Sequence, residues 1–106
     1  MKITSQKIRD AARGQDCTIN IAGVCMYDSA TTVFCHFPDE HNGMGTKASD
    51  ISGGFGCDLC HSALDGRHPQ NAPSQVDAEF YMRRSQTRTL ARLVEMGIVK
   101  VHGFDA

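Results

Sequence analysis

No run of apolar residues in this sequence is longer than a few positions. That absence excludes a membrane-spanning helix, which needs about 20 consecutive apolar residues. The first residues, "MKITSQKIRDAARGQDC", also lack the apolar centre of a secretory signal, so a cytoplasmic protein is expected. Tryptophan is missing, and there are no internal repeats or low-complexity tracts. Neither sign of charge dominates: 11 Lys and Arg against 12 Asp and Glu leave a net −1. A nucleic-acid binder is usually basic overall, so the sum does not advertise one. At 106 residues the chain reads as one domain, 1–106. A domain of that size buries roughly two-thirds of its unfolded surface, which leaves a marginal core.

Cysteine, by contrast, is well represented, with five residues. In a reducing compartment they point to metal binding or catalysis rather than to disulfides. Their placement depends on the local elements. Ser5 as N-cap and Gly14 as stop predict a short helix. Cys17, Ile19 and Ile21 alternate with Thr18 and Asn20, a strand pattern, and "TTVFCHF" (31–37) reads as a second strand. The two are expected to pair as an antiparallel hairpin through "MYDSA". Residues 38–56 read as a long glycine-bearing loop, of the kind that is functional or poorly ordered. "CDLCHSALDG" then looks like a metal knuckle entering a short helix. Ser74 with Asp77, and Gly97, bracket a long C-terminal helix, after which "IVKVHGF" predicts a terminal strand.

Cys57 and Cys60 form a C-x-x-C pair. A thioredoxin-like reading would need that pair inside a βαβ framework, and no parallel-sheet pattern is present. Half of a tetrahedral Zn²⁺ site fits better. In the second strand Cys35 shares a face with Val33 and Phe37, which makes it a small buried hydrophobe. The expected zinc ligands are therefore Cys17, Cys25, Cys57 and Cys60. Structural zinc contributes about ten kcal/mol of folding free energy in finger peptides.

On the long helix, Met82, Leu90, Leu93 and Met96 fall on one side and Arg84, Arg88 and Arg92 on the other. Two readings of the arginines stay open: an ordinary solvated face, or a surface that touches a phosphate backbone. Lys47 in "GTK" has the same two readings.

Taken together, "ARGQDC", "GVC", "CHF", "GTK" followed by Asp50, and "CDLCH" resemble the YbcO-like nuclease family of lambdoid prophages, of the HNH or ββα-metal type. The likeness runs from about Ala11 to Asp65, with a looser match through the C-terminal helix. It implies an α+β fold: a small zinc-stabilised ββα-metal domain with an N-terminal helix and a long C-terminal helix. It further implies a metal-dependent endonuclease that hydrolyses DNA phosphodiester bonds in a bacterial host cell. His36 would be the general base and His61 a ligand of the catalytic ion, with His68 the nearest match for the last ligand. The catalytic cation would be Mg²⁺, Mn²⁺ or Ni²⁺, separate from the structural Zn²⁺.

Where many family members carry an acidic residue before the base, this chain has Cys35. Ser52 occupies the position of the mid-motif Asn, with Asp50 or Asn42 available to replace it. DNA is the expected partner, and a homodimer is compatible with the single basic helix. The runner-up is a zinc-containing module that binds nucleic acid or protein without catalysis.

Overall fold

A computed structural model describes residues 1–43, 45–67 and 71–105. The chain is a small α+β protein built around a two-stranded antiparallel sheet. Helix α1 (Gln6–Ala11) is capped by the Ser5 side chain, which accepts from the Ile8 amide. A 3-10 turn (Ser29–Thr31) leads into β1 (Val33–His36). Strand β2 (Gly53–Gly56) follows and runs directly into α2 (Asp58–Leu64). Helix α3 (Gln75–Glu95) lies against β2, while α1 lies against β1.

The hairpin partner of β1 differs from the one expected. The register pairs Val33 with Gly56, Phe34 with Phe55, Cys35 with Gly54 and His36 with Gly53. Residues 17–21 are not a strand, because Asn20 has a left-handed backbone (φ 50°) that interrupts the extension. Thr18, Ile19 and Ile21 are all buried, so the alternation came from a segment enclosed on both sides, not from one face of a sheet. This segment touches the sheet through Thr18 N–H, which donates to the Phe55 carbonyl at 2.7 Å.

The "GGFG" of β2 falls inside the loop expected over 38–56, because glycine disfavours strands. Here its lack of a side chain is a requirement. A Cβ at Gly54 would strike the Ser85 hydroxyl, and one at Gly56 would lie 2.6 Å from both Cys35 Sγ and the Ile19 side chain. α3 can therefore approach closely, and its buried residues are Ser85, Thr89 and Leu93. Leu90, grouped with Leu93 on the apolar side of the helix, is 43% exposed. The predicted terminal strand is also replaced. Gly97 (φ 75°) reverses the chain, and the Ile98 and Val99 amides both donate to the Leu93 carbonyl.

Strand parity divides the core in two. Cys35 and Phe37 join Cys17, Ile19, Ile21, Cys57, Cys60 and Ala63. Phe34 packs on a second cluster of Ile8, Ala12, Phe55 and Leu93. His36 follows Phe34, their rings meeting edge to face with centroids 5.1 Å apart. No helix of the described residues is long and apolar enough to cross a membrane.

Candidate metal centre and active-site cleft

The four cysteines expected as zinc ligands come together from three separate segments. Their sulfur atoms all lie within 4.8 Å of one another. Cys57 follows β2 as the N-cap of α2, and Cys60 stands one turn further in. Cys25 is carried over by a turn in which its amide donates to the Ile21 carbonyl at 2.9 Å. The Cys25 and Cys57 sulfurs are 3.9 Å apart. A tetrahedral Zn²⁺ with bonds of about 2.3 Å to sulfur spaces its ligands by about 3.8 Å.

Donors surround the sulfurs as well: the Ile21 amide reaches Cys60 Sγ at 3.4 Å, and the Asn20 side chain reaches Cys25 Sγ at 3.6 Å. The hydrogen bond from the Cys60 thiol holds Cys17 down to about 4, while Cys60 itself is pushed up by that partner and by burial. Burial also raises Cys25. A second thiolate beside Cys17 would meet like charge in a buried setting, so full deprotonation needs a cation. Four soft donors whose sulfurs lie within 4.8 Å of one another fit zinc. Cys35 stays apart from the cluster: burial, with the charge of Cys17 adding to it, raises its thiol to about 12.

A polar chain passes through His36. Its Nε2 is 2.7 Å from Asp50 Oδ1. Asp50 Oδ2 accepts from the Ser5 amide at 2.7 Å and from the Arg9 guanidinium. Burial would raise the Asp50 carboxyl, but the Ser5 amide, the His36 ring and the charge of Arg9 outweigh it and hold the carboxyl below its usual value. An ionised Asp50 can only accept, so in the neutral imidazole Nε2–H donates to Oδ1 and Nδ1 carries the lone pair. Arg9 is a member that sequence reading missed, since nothing in a helical "KIRD" points to a residue 41 positions away.

His36 and His61 line one cleft of 350 Å³, together with Phe34, Asn42 and Lys47. Asn42, named as a loop residue able to reach in, does line it, and its Oδ1 accepts from the Asp39 amide at 2.6 Å. His61 stands on α2, with its Nε2 3.4 Å from Asp65 Oδ2 one turn on. Asp65 is the acidic group overlooked at the sequence level, although the i, i+4 spacing was there to be read. His68 lies outside the described residues. Among those described, the four cysteines are the group of three or more metal-ligating side chains that gathers closely enough to hold an ion.

The arginines of α3 are held by the chain itself. Arg84 donates to the Ile19 and Asn20 carbonyls at 2.9 and 3.2 Å, and stacks over the Phe80 and Tyr81 rings. Arg88 reaches Asn20 Oδ1 at 3.0 Å, and Arg92 reaches Gln15 Oε1 at 2.6 Å. All three brace the segment that carries Cys17.

Comparison with known proteins places these features in context. A family described as "Putative nuclease YbcO" matches residues 6–98. The "Putative nuclease YbcO" of Escherichia coli (strain K12) and that of Enterobacteria phage 82 are each 38% identical over 61 residues. Those residues are 57% of this chain and 64% of each relative, so the chain spans less than two-thirds of the relatives' length. A solved structure, described as "a putative bacteriophage protein" from E. coli K-12, is similar with a TM-score of 0.68 and 26% identity. The similarity covers 86% of this chain and 100% of that one.

Proposed function

This chain belongs to the YbcO family, and from that premise we propose that it is a metal-dependent DNA endonuclease of the HNH type. One observation carries the reading. His36 on β1 and His61 on α2 reach the same cleft, and β1, β2 and α2 follow one another as strand, strand, helix. His36 acts as general base through Nδ1, taking a proton from water as the water oxygen attacks phosphorus and the bond to the leaving oxygen breaks. Asp50 is a positioning residue: it holds the ring in the tautomer that leaves Nδ1 free, and Arg9 and the Ser5 amide keep its carboxylate ionised. His61 and Asp65 would hold a divalent ion with one imidazole and one carboxylate. Such an ion, when bound, neutralises charge on the phosphate and the leaving oxygen. Asn42 at the rim offers an amide donor to the phosphate, and Lys47, between the cleft and its neighbour, a positive charge to the strand. Arg88, whose side chain remains exposed, extends the basic surface along α3 with Arg84 and Arg92.

A second reading has its own support, because outside the cysteines no three described metal-ligating side chains converge. It makes the chain a zinc-bearing module that binds nucleic acid or protein without cutting. A plasmid-nicking assay separates the two. Protein that retains its zinc is supplied in turn with Mg²⁺, Mn²⁺ and Ni²⁺, beside His36→Ala. Nicking by the parent in at least one ion, abolished in the variant, is expected. Intact plasmid in every ion would discard the enzyme and leave the binding module.

A further inference from the structure

A second hollow, of 430 Å³, adjoins the cleft and shares His36, Thr46, Lys47 and Ala48 with it. Its other walls include Lys2, Thr4, Arg9 and Asp50. The single carboxylate there is already satisfied by His36, Arg9 and the Ser5 amide, so Arg9 and Asp50 cancel one another. Lys2 and Lys47 form no ion pair among the described residues. Two lysines without an ion-pair partner among the described residues thus line one hollow in a chain whose net charge is −1.

The first five residues have no regular structure, yet they are laced in place. The Ile3 amide donates to Ser49 Oγ at 3.0 Å, the Asp50 amide donates to the Ile3 carbonyl at 2.8 Å, and Ser5 holds Asp50. These bonds fix the arm against the segment that carries Lys47 and set Lys2 and Thr4, on either side of Ile3, along the hollow.

We propose that this hollow is a subsite for a second phosphate of the nucleic-acid strand, the internal phosphodiester next to the one cleaved, with Lys2 and Lys47 as its ligands. It rests on the nuclease reading above and adds to it the direction in which the strand leaves His36: past the N-terminal arm. Two lysines on one phosphate also predict that their contributions to the salt dependence of binding overlap, because counterion release counts phosphates and not side chains.

The test is fluorescence anisotropy with a labelled duplex across a KCl series, using zinc-loaded protein without added divalent ion. Lys2→Ala, Lys47→Ala and the double variant are compared with the parent and with Lys100→Ala, a lysine outside both hollows. The double variant should bind about tenfold more weakly at low salt and lower the slope of log K against log salt by about 1, while Lys100→Ala changes neither. A parent that binds while the double variant keeps its affinity and slope overturns the subsite and leaves the nuclease reading standing. Duplexes with a 5′-phosphate and a 5′-hydroxyl should lose equally; a loss confined to the phosphorylated one overturns the internal phosphodiester in favour of a terminal phosphate. Inorganic phosphate should also shift the Thr4 and Lys47 amide resonances. If it does so while the parent ignores duplex at every salt, the anion site stands and both the nuclease reading and its phosphodiester occupant fall.

Discussion

Asp50 receives the His36 imidazole, the Arg9 guanidinium and the Ser5 amide on its two oxygens. Asp50→Asn keeps the shape and removes the charge, so the amide can present an N–H to His36 and favour the wrong tautomer. Cleavage should fall on the order of a hundredfold or more, with folding and duplex binding retained. Stability gives a second readout. The carboxyl lies below its ordinary value in the folded chain, so the unfolded state binds its proton first as pH falls. Its contribution is therefore complete above the unfolded value of about 3.9 and is lost as pH drops through the folded one. Urea unfolding should show Asp50→Asn less stable than the parent at neutral pH, with the gap closing in acid. A gap unchanged from neutral pH to below the folded value would refute this assignment. The residues of this site were only partly legible beforehand. His36 and Asp50 stood out by type and by resemblance, and Asp65 could have been found from its spacing to His61, whereas Arg9 matters through a contact 41 positions away that the chain makes only once folded.

At the level of elements, α3 and β2 make the contact least visible from sequence. Capping signals at Ser74 and Gly97 located the helix, and its apolar side does carry the buried Leu93 and the half-buried Met82, but the pattern also took in the exposed Leu90 and passed over Ser85 and Thr89. Its inner side is anchored by hydroxyls: Thr18 Oγ1 is 2.7 Å from Ser85 Oγ and 2.9 Å from Thr89 Oγ1, and the Phe55 amide donates to Thr89 Oγ1 at 3.0 Å. Apolar periodicity cannot register a core face made of small polar residues that satisfy one another and a neighbouring backbone. Glycine in β2 compounds the difficulty, because the composition that looks like a loop is what allows the helix to come so close. Thr89→Val, nearly the same size, leaves the buried Phe55 amide without its acceptor and should cost about 1–3 kcal/mol. A urea midpoint within error of the parent would show that water or a backbone shift replaces the bond.

For the molecule as a whole, the cysteine centre joins three stretches of chain that the small sheet does not connect. Zinc binding of about ten kcal/mol is comparable with the entire stability of an ordinary domain. Protein isolated without chelator should hold about one zinc per chain, and Cys57→Ser should lose both the metal and the cooperative thermal transition. A metal-free Cys57→Ser protein that melts like the parent would sink the four-cysteine assignment. The cysteines could be identified in advance because ligand chemistry leaves few alternatives, even though the strand expected to carry Cys17 does not exist.

The two faces of β1 have a consequence for how such a sequence can change over generations. Cys35 faces the cysteine core and His36 the Phe34 side, one residue apart. Deleting or inserting a single residue within Val33–His36 would exchange them, pressing an imidazole into the sulfur cluster and turning a thiol towards the cleft. Between His36 and Gly53 the connection can lengthen or shorten at modest entropic cost. Related genes should therefore vary in length between these strands and hold the spacing inside β1 fixed.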